Sequence, residues 1–446
     1  MNLRLVRDAW CKFWFEPRSP VPLALFRILF SVMVLETLLH FACDFSLYYG
    51  AENLLPVDAI ANSNWDMRPK LDLLLLLPNT DFWHWSYFCS IAGATVMLLF
   101  GLCTRFSAFW LFLGLITLQT HFQSNYNAGD RYEILVALLL ALSEAGAAIS
   151  LDNLIRHRKD DWRVVGFETQ PISGWTVRVL QVQLAVAYCH AFFSKIVGRQ
   201  WLDGSVMYYV SRFRDFHRFT LPFIYDSRLG CKLVAWSTIA IEGAMWTLIW
   251  VKELRYWVLF LGILMHLTIA FTMEIPVFEG LFISTYILFV DPKDLARCMD
   301  KVKQRVRRRF GRPVRVAFDG SCIFCVRSAG LIHRLDVCDR LRLCDFRDER
   351  DDSALVGVDR ERAQREMLVN VGIEWLGGFR ALRWMAWRLP LLWPLAPFMY
   401  LPGATILGER VYAWLAVNRF NLVGGTCSGA QCENPNVVDK LSHNTQ

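Results

Sequence analysis

Before Asp291, long apolar segments alternate with short polar ones along the chain. A helix needs about 20 predominantly apolar residues to cross the hydrocarbon core of a bilayer. The apolar segment 71–77 is shorter than that, and we expect it to be a re-entrant or interfacial piece between the first two spans. The pattern predicts about eight membrane-spanning helices, at 22–42, 84–103, 106–123, 131–150, 177–197, 232–251, 256–273 and 276–290.

After Asp291 the pattern becomes that of a soluble α/β domain. A basic linker at 293–312 precedes it, and a flexible tail is expected at 425–446. Within the domain we predict a buried strand at Val314–Phe318, a helix at Cys322–Leu335 and a second strand at Leu341–Phe346. The predicted organisation is therefore a polytopic α-helical membrane bundle at 1–292 and a soluble domain at 313–424.

The apolar segment 389–407 is interrupted by Pro390, Pro394, Pro397 and Pro402. Proline lacks a backbone N–H and clashes with the preceding helical turn, so this many prolines argue against a ninth spanning helix. We expect a hydrophobic hairpin that packs on the domain or on the membrane surface.

Composition and charge support a membrane location. The chain is 54% hydrophobic and carries a formal net charge of +7, and its basic residues cluster beside the apolar segments and after Asp291. Apart from Phe310, no aromatic residue lies among the basic residues of the linker, so we expect contact with anionic lipid and no nucleic-acid partner. The positive-inside rule places both termini in the cytoplasm, and we expect an integral protein of a bacterial inner membrane.

The loop 198–230 does not follow this charge pattern. It should lie outside the cell, yet it contains five arginines. Two explanations remain open: the loop folds as its own unit, or the number of helices around it differs by one from the prediction.

Two of the thirteen cysteines form a tight motif, Asp319-Gly-Ser-Cys322-Ile-Phe-Cys325, between a predicted strand and helix. The unsatisfied N–H groups and the dipole of a helix N-terminus stabilise a thiolate, so Cys322 is the expected nucleophile. Cys325, one turn later, could attack a mixed disulfide and resolve it.

Two alternatives to redox chemistry remain open for this pair. One is a structurally inert pair of thiols. The other is a zinc site, although the spacing of the available ligands is uncommon for zinc. The zinc ligands would be Cys322, Cys325, Cys338 and either Cys344 or His333.

The segment Val314–Leu422 resembles the DCC family of thiol-disulfide oxidoreductases, which are thioredoxin-like and named for an Asp-x-x-Cys-x-x-Cys signature. Its matching residues are Asp319, Cys322 and Cys325, supported by Arg388-Leu-Pro390, Leu401-Pro-Gly403, Arg410-Val-Tyr412 and Asn418-Arg-Phe420. The resemblance implies a thioredoxin-like α/β domain in which Asp319, Cys322 and Cys325 are catalytic. A soluble thiol such as thioredoxin or glutathione would be its partner.

The predicted spans contain ionisable residues, which are expensive in a membrane and mark functional sites by default. Each could instead form a helix–helix hydrogen bond or extend to the membrane surface. Taken together, they predict a polar bundle interior or cavity. They include Arg27, Glu36, His40, Glu133, Glu144, Arg178, His190, Lys195, Glu242 and His266.

Residues 15–292 resemble the HTTM family (horizontally transferred transmembrane domain), to which vitamin K-dependent gamma-carboxylase belongs. The resemblance rests on Tyr188-Cys-His-Ala-Phe-Phe-Ser-Lys195 followed by Trp201-Leu-Asp-Gly204, with Arg27, Asp152, Glu242 and His266 as supporting matches. It implies that Lys195 is a catalytic base. It also implies that a quinone or similar lipid-soluble molecule contacts Arg27, His190, Trp201, Glu242 and His266.

The leading hypothesis is a membrane redox protein whose thiol domain exchanges electrons with a soluble thiol while the bundle binds a lipid-phase partner. A quinone is a possible cofactor, and no metal is expected. The alternatives are a carboxylase-like enzyme with Lys195 as base, and a non-redox scaffold or transporter. The peptide-binding luminal domain of the carboxylase is missing from this sequence, as is a histidine near Asp130–Glu133.

Overall fold

The computed structural model describes residues 3–54, 60, 71–122, 128–157, 170–214, 217–219, 221–275, 277–393 and 395–423. They form two compact units. The long helices before Asp294 make up the first unit, and the sheet and helices after Leu295 make up most of the second. The predicted tail lies outside the described residues.

The described secondary-structure elements of the first unit are helices, with two isolated β-bridges at Arg18–Ile172 and His217–Met273. Its first half comprises α1 (Leu3–Phe15), α2 (Val21–Cys43), α3 (Phe45–Tyr49), α4 (Asp81–Phe100), α5 (Thr104–His121), α6 (Ala128–Leu142) and α7 (Leu151–Arg156). Its second half comprises α8 (Trp175–Ile196), α9 (Arg199–Asp203), α10 (Ser205–Val210), α11 (Pro222–Tyr225), α12 (Arg228–Thr247), α13 (Arg255–Thr272) and α14 (Phe278–Thr285).

A helix lies at each of the eight predicted spans, but a count of eight spans is not confirmed. In the described part of the chain, four helices are long and apolar enough to cross a membrane: Val21–Cys43, Trp175–Ile196, Arg228–Trp250 and Arg255–Thr272. The apolar helical segment Phe278–Phe289 is shorter than these four. The 15 residues of α6 reach only about 22 Å at 1.5 Å per residue, less than a hydrocarbon core of about 30 Å.

The polar connections contain short helices. The segment 71–77 has a single 3₁₀ turn at Leu74–Leu76, consistent with a piece too short to span. The arginine-rich loop 198–230 holds α9, α10 and α11, whose combined length accounts for much of the loop.

The second unit begins with α15 (Pro292–Phe310), so the predicted basic linker is helical. A four-stranded sheet follows, built from β1 (Val314–Phe318), β2 (Leu341–Asp345), β3 (Leu368–Val371) and β4 (Glu374–Gly377). The strand order is β2-β1-β3-β4, with β1 parallel to β2 and β3 antiparallel to both β1 and β4. The helices are α16 (Ile323–Leu335), α17 (Arg360–Arg365), α18 (Gly378–Ala386) and α19 (Ala404–Val423).

Apolar side chains cover both faces of this sheet. Val316 and Phe318 belong to one buried cluster, with Ile332 of α16, whereas Ala317 and Cys344 belong to a second. This alternation follows from the two-residue period of a strand. The register pairs Phe318 with Asp345, so the two strand ends lie side by side where the cysteine motif begins.

The segment 389–407 is only partly the hairpin that was predicted. Two 3₁₀ turns occupy Pro390–Leu392 and Pro397–Tyr400, and the rest of the segment already belongs to α19. Pro402 precedes α19, where its missing N–H is tolerated. Pro394 lies outside the described residues.

Candidate functional site

Cys322 and Cys325 lie where the sequence predicts, at the start of α16. Cys322 is the N-cap residue of this helix, and Cys325 lies in its first turn. Both are free thiols; Cys322 is 5% exposed and Cys325 is half-buried. The N-terminal N–H groups of a helix have no intrahelical partner, so a sulfur at the cap faces unused donors.

The two thiols differ in acidity. The hydrogen bond from the Cys325 thiol lowers the pKa of Cys322 to about 6, although burial opposes this, and the Cys325 backbone N–H and the positive charge of Arg419 add to the lowering. The same hydrogen bond, together with burial, raises the pKa of Cys325 far above its ordinary value. The pair therefore contains one thiolate near neutral pH and one retained proton.

Asp319 holds the turn that presents Cys322. Its carboxylate accepts hydrogen bonds from the Ser321 backbone N–H at 3.0 Å, from Ser321 Oγ at 2.8 Å and from Arg347 Nε at 2.7 Å. Burial alone would raise the pKa of Asp319, but the bonds from Arg347 and Ser321 hold it below its usual range. Asp319 is thus an anchored anion beside the thiols, which makes it a positioning residue.

Gly320 lies in the same turn, directly beside the Asp345 side chain. Its N–H donates to Asp345 Oδ1 at 2.9 Å, at the end of the neighbouring strand β2. A Cβ at Gly320 would lie 1.7 Å from Asp345 Oδ2. Gly320 therefore leaves space for the Asp345 carboxylate, which a larger residue would have to displace.

Three residues near the thiols were not predicted from spacing. Arg347 pairs with Asp319, Arg419 of α19 acts electrostatically on both thiols, and the Tyr412 hydroxyl accepts a hydrogen bond from the Met367 N–H at 3.0 Å. Burial raises the pKa of Tyr412 to about 12. Tyr412 and Arg419 lie in the C-terminal segments that resemble the DCC family, and this was the available signal.

Zinc binding gains no support from this geometry. Among the residues that the structure describes, no group of three or more His, Cys, Asp or Glu side chains is arranged to hold a metal ion. Cys344 is buried in β2, and its thiol donates weakly to the Arg342 carbonyl at 3.7 Å.

In the helical unit, Lys195, Glu242 and Trp201 are brought together from α8, α12 and α9. Lys195 Nζ lies 2.8 Å from Glu242 Oε1 and 4.9 Å from the centre of the Trp201 ring. The side chains of Lys195 and Glu242 are 18% and 8% exposed. Lys195 is therefore ion-paired inside the bundle rather than extended to the membrane surface.

His266 belongs to a hydrogen-bonded cluster with two tyrosines. Its Nε2 lies 2.6 Å from the Tyr188 hydroxyl, which lies 2.5 Å from the Tyr286 hydroxyl. Tyr188 is on α8, two helical turns before Lys195. Within the described part of the chain, two buried polar atoms here have no hydrogen-bond partner, His266 Nδ1 and Glu242 Oε2.

Arg27 and His190 do not join this group. Arg27 is fully buried, and its guanidinium donates to the carbonyls of Ala145 at 2.9 Å and Ile149 at 2.6 Å. These contacts attach α2 to the segment after α6, as a structural anchor would. His190 is exposed on α8.

A second polar cluster in this unit was missed by sequence reasoning. His121 Nδ1 lies 2.8 Å from Asp72 Oδ2, and His121 Nε2 lies 3.3 Å from Asn53 Nδ2. Both side chains of the His121–Asp72 pair are almost completely buried. Asp72 sits in the short apolar segment 71–77, and a carboxylate there was the signal that could have revealed the pair.

Comparison with known proteins agrees with the two-part organisation. The HTTM domain family model matches residues 15–293, and the DCC1-like thiol-disulfide oxidoreductase model matches residues 316–425. The uncharacterized protein YitO of Bacillus subtilis is 22% identical over 169 residues, which cover 34% of this chain and 54% of YitO. The chain thus spans about half the length of that relative.

No solved structure matches the chain. The HTTM model nevertheless covers more than half of it, and the apolar helices agree with a membrane location. The chain is therefore an integral membrane protein that belongs to the HTTM domain family and carries a DCC1-like thiol-disulfide oxidoreductase domain.

Proposed function

We propose that this protein is a membrane-bound thiol-disulfide oxidoreductase that uses Cys322 and Cys325 and exchanges electrons with a lipid-phase small molecule. The observation that carries the proposal is the position of two free thiols at a helix start, with Cys322 as the N-cap of α16 and Cys325 in its first turn. The pKa of Cys322, lowered to about 6, and the raised pKa of Cys325 agree with it. A thiolate is the nucleophile in disulfide exchange. Because Cys325 keeps its proton, Cys322 is the sulfur that attacks the partner disulfide.

Thiol-disulfide exchange at Cys322 and Cys325 proceeds in two steps. The Cys322 thiolate attacks one sulfur of a partner disulfide, forming a mixed disulfide and releasing the other sulfur as a thiolate, which takes up a proton. Cys325 then loses its proton and attacks Cys322 Sγ, which releases the second partner thiol. The partner gains two electrons and two protons, and the domain is left with a Cys322–Cys325 disulfide. In the reverse direction, a soluble dithiol such as thioredoxin, or two glutathione molecules, reduces the Cys322–Cys325 disulfide by the same exchange. A lipid-phase acceptor that takes two electrons and two protons from the restored dithiol would then regenerate the disulfide.

The sheet supports this assignment. A parallel β1–β2 pair connected by α16, followed by the antiparallel β3–β4 hairpin and α18, is the arrangement expected of a thioredoxin-like domain. The motif lies at the carboxyl end of β1 and the N-terminus of the connecting helix, where open α/β sheets bind their partners.

A quinone is the lipid-phase partner that the helical unit fits best. His266 Nδ1 is buried without a hydrogen-bond partner among the described residues. In the tautomer whose Nε2 accepts from the Tyr188 hydroxyl, Nδ1 is a donor suited to a quinone carbonyl. Glu242 Oε2 is an unused acceptor, suited to a quinol hydroxyl. The Phe282 ring stacks on His266 at 5.6 Å between centres and provides an apolar wall. When bound, a quinone would supply a two-electron, two-proton acceptor.

Tethering supports a link between the two parts of the chain. Two sites on one polypeptide have a high effective concentration for each other, so a carrier can shuttle between them without dilution. We propose that the thiol domain and both termini are cytoplasmic, in a bacterial inner membrane, where the pair rests mainly as the dithiol.

The carboxylase-like alternative is less well supported. A base at Lys195 needs a nitrogen lone pair that is free to reach the substrate. Lys195 Nζ is instead held by Glu242 Oε1 at 2.8 Å. A scaffold or transporter would not require the acidity difference between Cys322 and Cys325.

Trapping of the mixed disulfide tests the thiol chemistry. Cys325→Ser should accumulate disulfide-linked partners in cells, Cys322→Ser should not, and Cys338→Ser outside the motif should behave like the parent protein. Equal trapping by both motif variants would refute the assigned roles.

Mass spectrometry of lipids that co-purify with the full chain tests the second part of the proposal, the binding of a quinone by the helical unit. The expected result is a quinone that is retained by Cys322→Ser and lost with His266→Ala. Retention of the quinone by His266→Ala would refute the binding site but leave the thiol chemistry intact.

A further inference from the structure

One side of the second unit exposes an unusual amount of apolar surface. On α19, Leu407 is 66% exposed, Trp414 57% and Val417 71%. The opposite side of the same helix carries Tyr412 and Arg419, which lie near the thiols. A contiguous apolar surface of this kind, exposed on the outer side of a helix, marks an interaction site.

The apolar surface continues into the two 3₁₀ turns before α19. Phe398 is 65% exposed and Trp393 is 54% exposed. The Trp387 and Tyr400 rings lie 6.1 Å apart and connect the end of α18 to these turns. We call the exposed residues Trp393, Phe398, Leu401, Leu407, Trp414 and Val417 the apolar face.

The residues at the border of the apolar face suit a lipid surface. Arg383 lies over the Tyr400 ring at 4.4 Å, and Arg388 lies over the Trp384 ring at 3.0 Å. Tryptophan and tyrosine are enriched at membrane–water interfaces, and arginine favours anionic headgroups. The single acid of α19, Glu409, lies 3.6 Å from Arg380, so its charge is offset.

Helix α15 adds positive charge to the same unit. It contains eight Lys or Arg residues and two Asp residues, and none of its side chains is buried. Because the chain is an integral membrane protein, this unit is always tethered close to a bilayer. The C-terminal residues 424–446 are poorly suited as a cover, since Val437, Val438 and Leu441 are their only large apolar residues.

We propose that the apolar face docks into the headgroup region of an anionic bilayer. Docking holds α19, and with it Arg419 and the Cys322–Cys325 pair, at the membrane surface, where a lipid-phase electron carrier can approach. The docking itself does not depend on the thiol chemistry, so its test measures lipid contact and not turnover.

The test uses the full chain in liposomes of phosphatidylethanolamine and phosphatidylglycerol that contain phosphatidylglycerol with a headgroup-proximal diazirine. After irradiation, peptides are mapped by mass spectrometry. Labelling is expected within 393–417 and not at the β3–β4 turn, where Ile373 is 98% exposed and serves as an equally accessible apolar control. Equal labelling of the two regions would overturn the proposal.

A variant pair tests the surface directly. Leu407→Glu should abolish labelling of 393–417, whereas Ile373→Glu should leave it unchanged. Alkylation of Cys322 at an unchanged rate shows that the domain of each variant is folded. Labelling of 393–417 that is unchanged by Leu407→Glu would overturn the proposal.

Discussion

Arg347 Nε donates a hydrogen bond of 2.7 Å to Asp319 Oδ1 and thereby joins the end of β2 to the turn that precedes Cys322. The Asp319 side chain is 6% exposed, whereas that of Arg347 is 37% exposed. This pair and the bonds from Ser321 lower the pKa of Asp319 against the opposing effect of burial. A carboxyl whose folded-state pKa is lowered stabilises the fold at pH above its unfolded pKa, and this contribution is lost as the pH falls through the folded value.

We therefore expect Asp319→Asn to destabilise β1 by about 1–3 kcal/mol at neutral pH, the range for removing a buried hydrogen-bonded charge. The difference from the parent protein should shrink as the pH falls below about 4. Native-state hydrogen exchange of the β1 amides in the full chain measures it. Asp352→Asn is the matched control, because its ion pair with Arg360 is exposed on both sides. An equal effect of the two substitutions would contradict the prediction.

The reactivity of Cys322 should depend on pH in a characteristic way. With a pKa of about 6, its alkylation rate should rise between about pH 5 and 7 and change little above that. Cys325→Ala removes the thiol hydrogen bond and should move the inflection upward. Burial raises the pKa of Cys338, so this cysteine provides an internal reference that reacts only in more alkaline solution. Mass spectrometry after timed iodoacetamide pulses follows each site, and coincident profiles would rule out an activated Cys322.

The turn before Cys322 should tolerate no side chain at Gly320. A Cβ would lie 1.7 Å from Asp345 Oδ2, so Gly320→Ala should destabilise the unit by about 1–3 kcal/mol, as overpacking does. In an Asp345→Ala background the clash disappears, and the same substitution should cost much less. Thermal unfolding of the four proteins of this cycle measures the coupling. Additive effects would show that Asp345 does not limit the space.

Much of this architecture could be predicted from local patterns. Strand β1, helix α16 and the position of Cys322 at the helix start followed from an apolar run, a turn and a motif, all within about 20 residues of sequence. The helices also lie where the apolar segments are. The number of membrane-spanning helices could not be predicted in this way, because hydropathy averaged over a window of residues does not show where a helix ends. Helix α6 ends at Leu142, short of the predicted 150.

The contacts that join distant segments could not be predicted in the same way. Arg347 is 28 residues from Asp319, and Arg419 acts on Cys322 from a helix almost a hundred positions later. Neither residue differs by type from the many other arginines of the chain. Only the parallel pairing of Phe318 with Asp345 places Arg347 beside the motif. In the helical unit, the high cost of ionisable residues in a membrane led to the expectation of a polar interior, and Lys195 and Glu242 are indeed paired there. The same argument also included Arg27, which instead donates to the carbonyls of Ala145 and Ile149.

The pair of Lys195 and Glu242 leads to the last prediction. Their side chains are 18% and 8% exposed, and Glu242 Oε2 has no hydrogen-bond partner among the residues that the structure describes. Removing one member of a buried ion pair leaves an uncompensated charge, which destabilises by about 3–5 kcal/mol. Lys195→Ala should therefore unfold the purified protein at lower temperature, and Lys195→Arg should not.

The double variant Lys195→Met/Glu242→Leu separates stability from binding. Replacing both charges with apolar residues of similar volume is often neutral for a buried pair, so this protein should melt near the parent temperature. If Glu242 Oε2 binds a quinol hydroxyl, the folded double variant should still lose its co-purified quinone. Thermal melting in detergent and lipid mass spectrometry of the same sample give both results. A double variant that is folded and retains the quinone would show that the ion pair only holds α8 against α12.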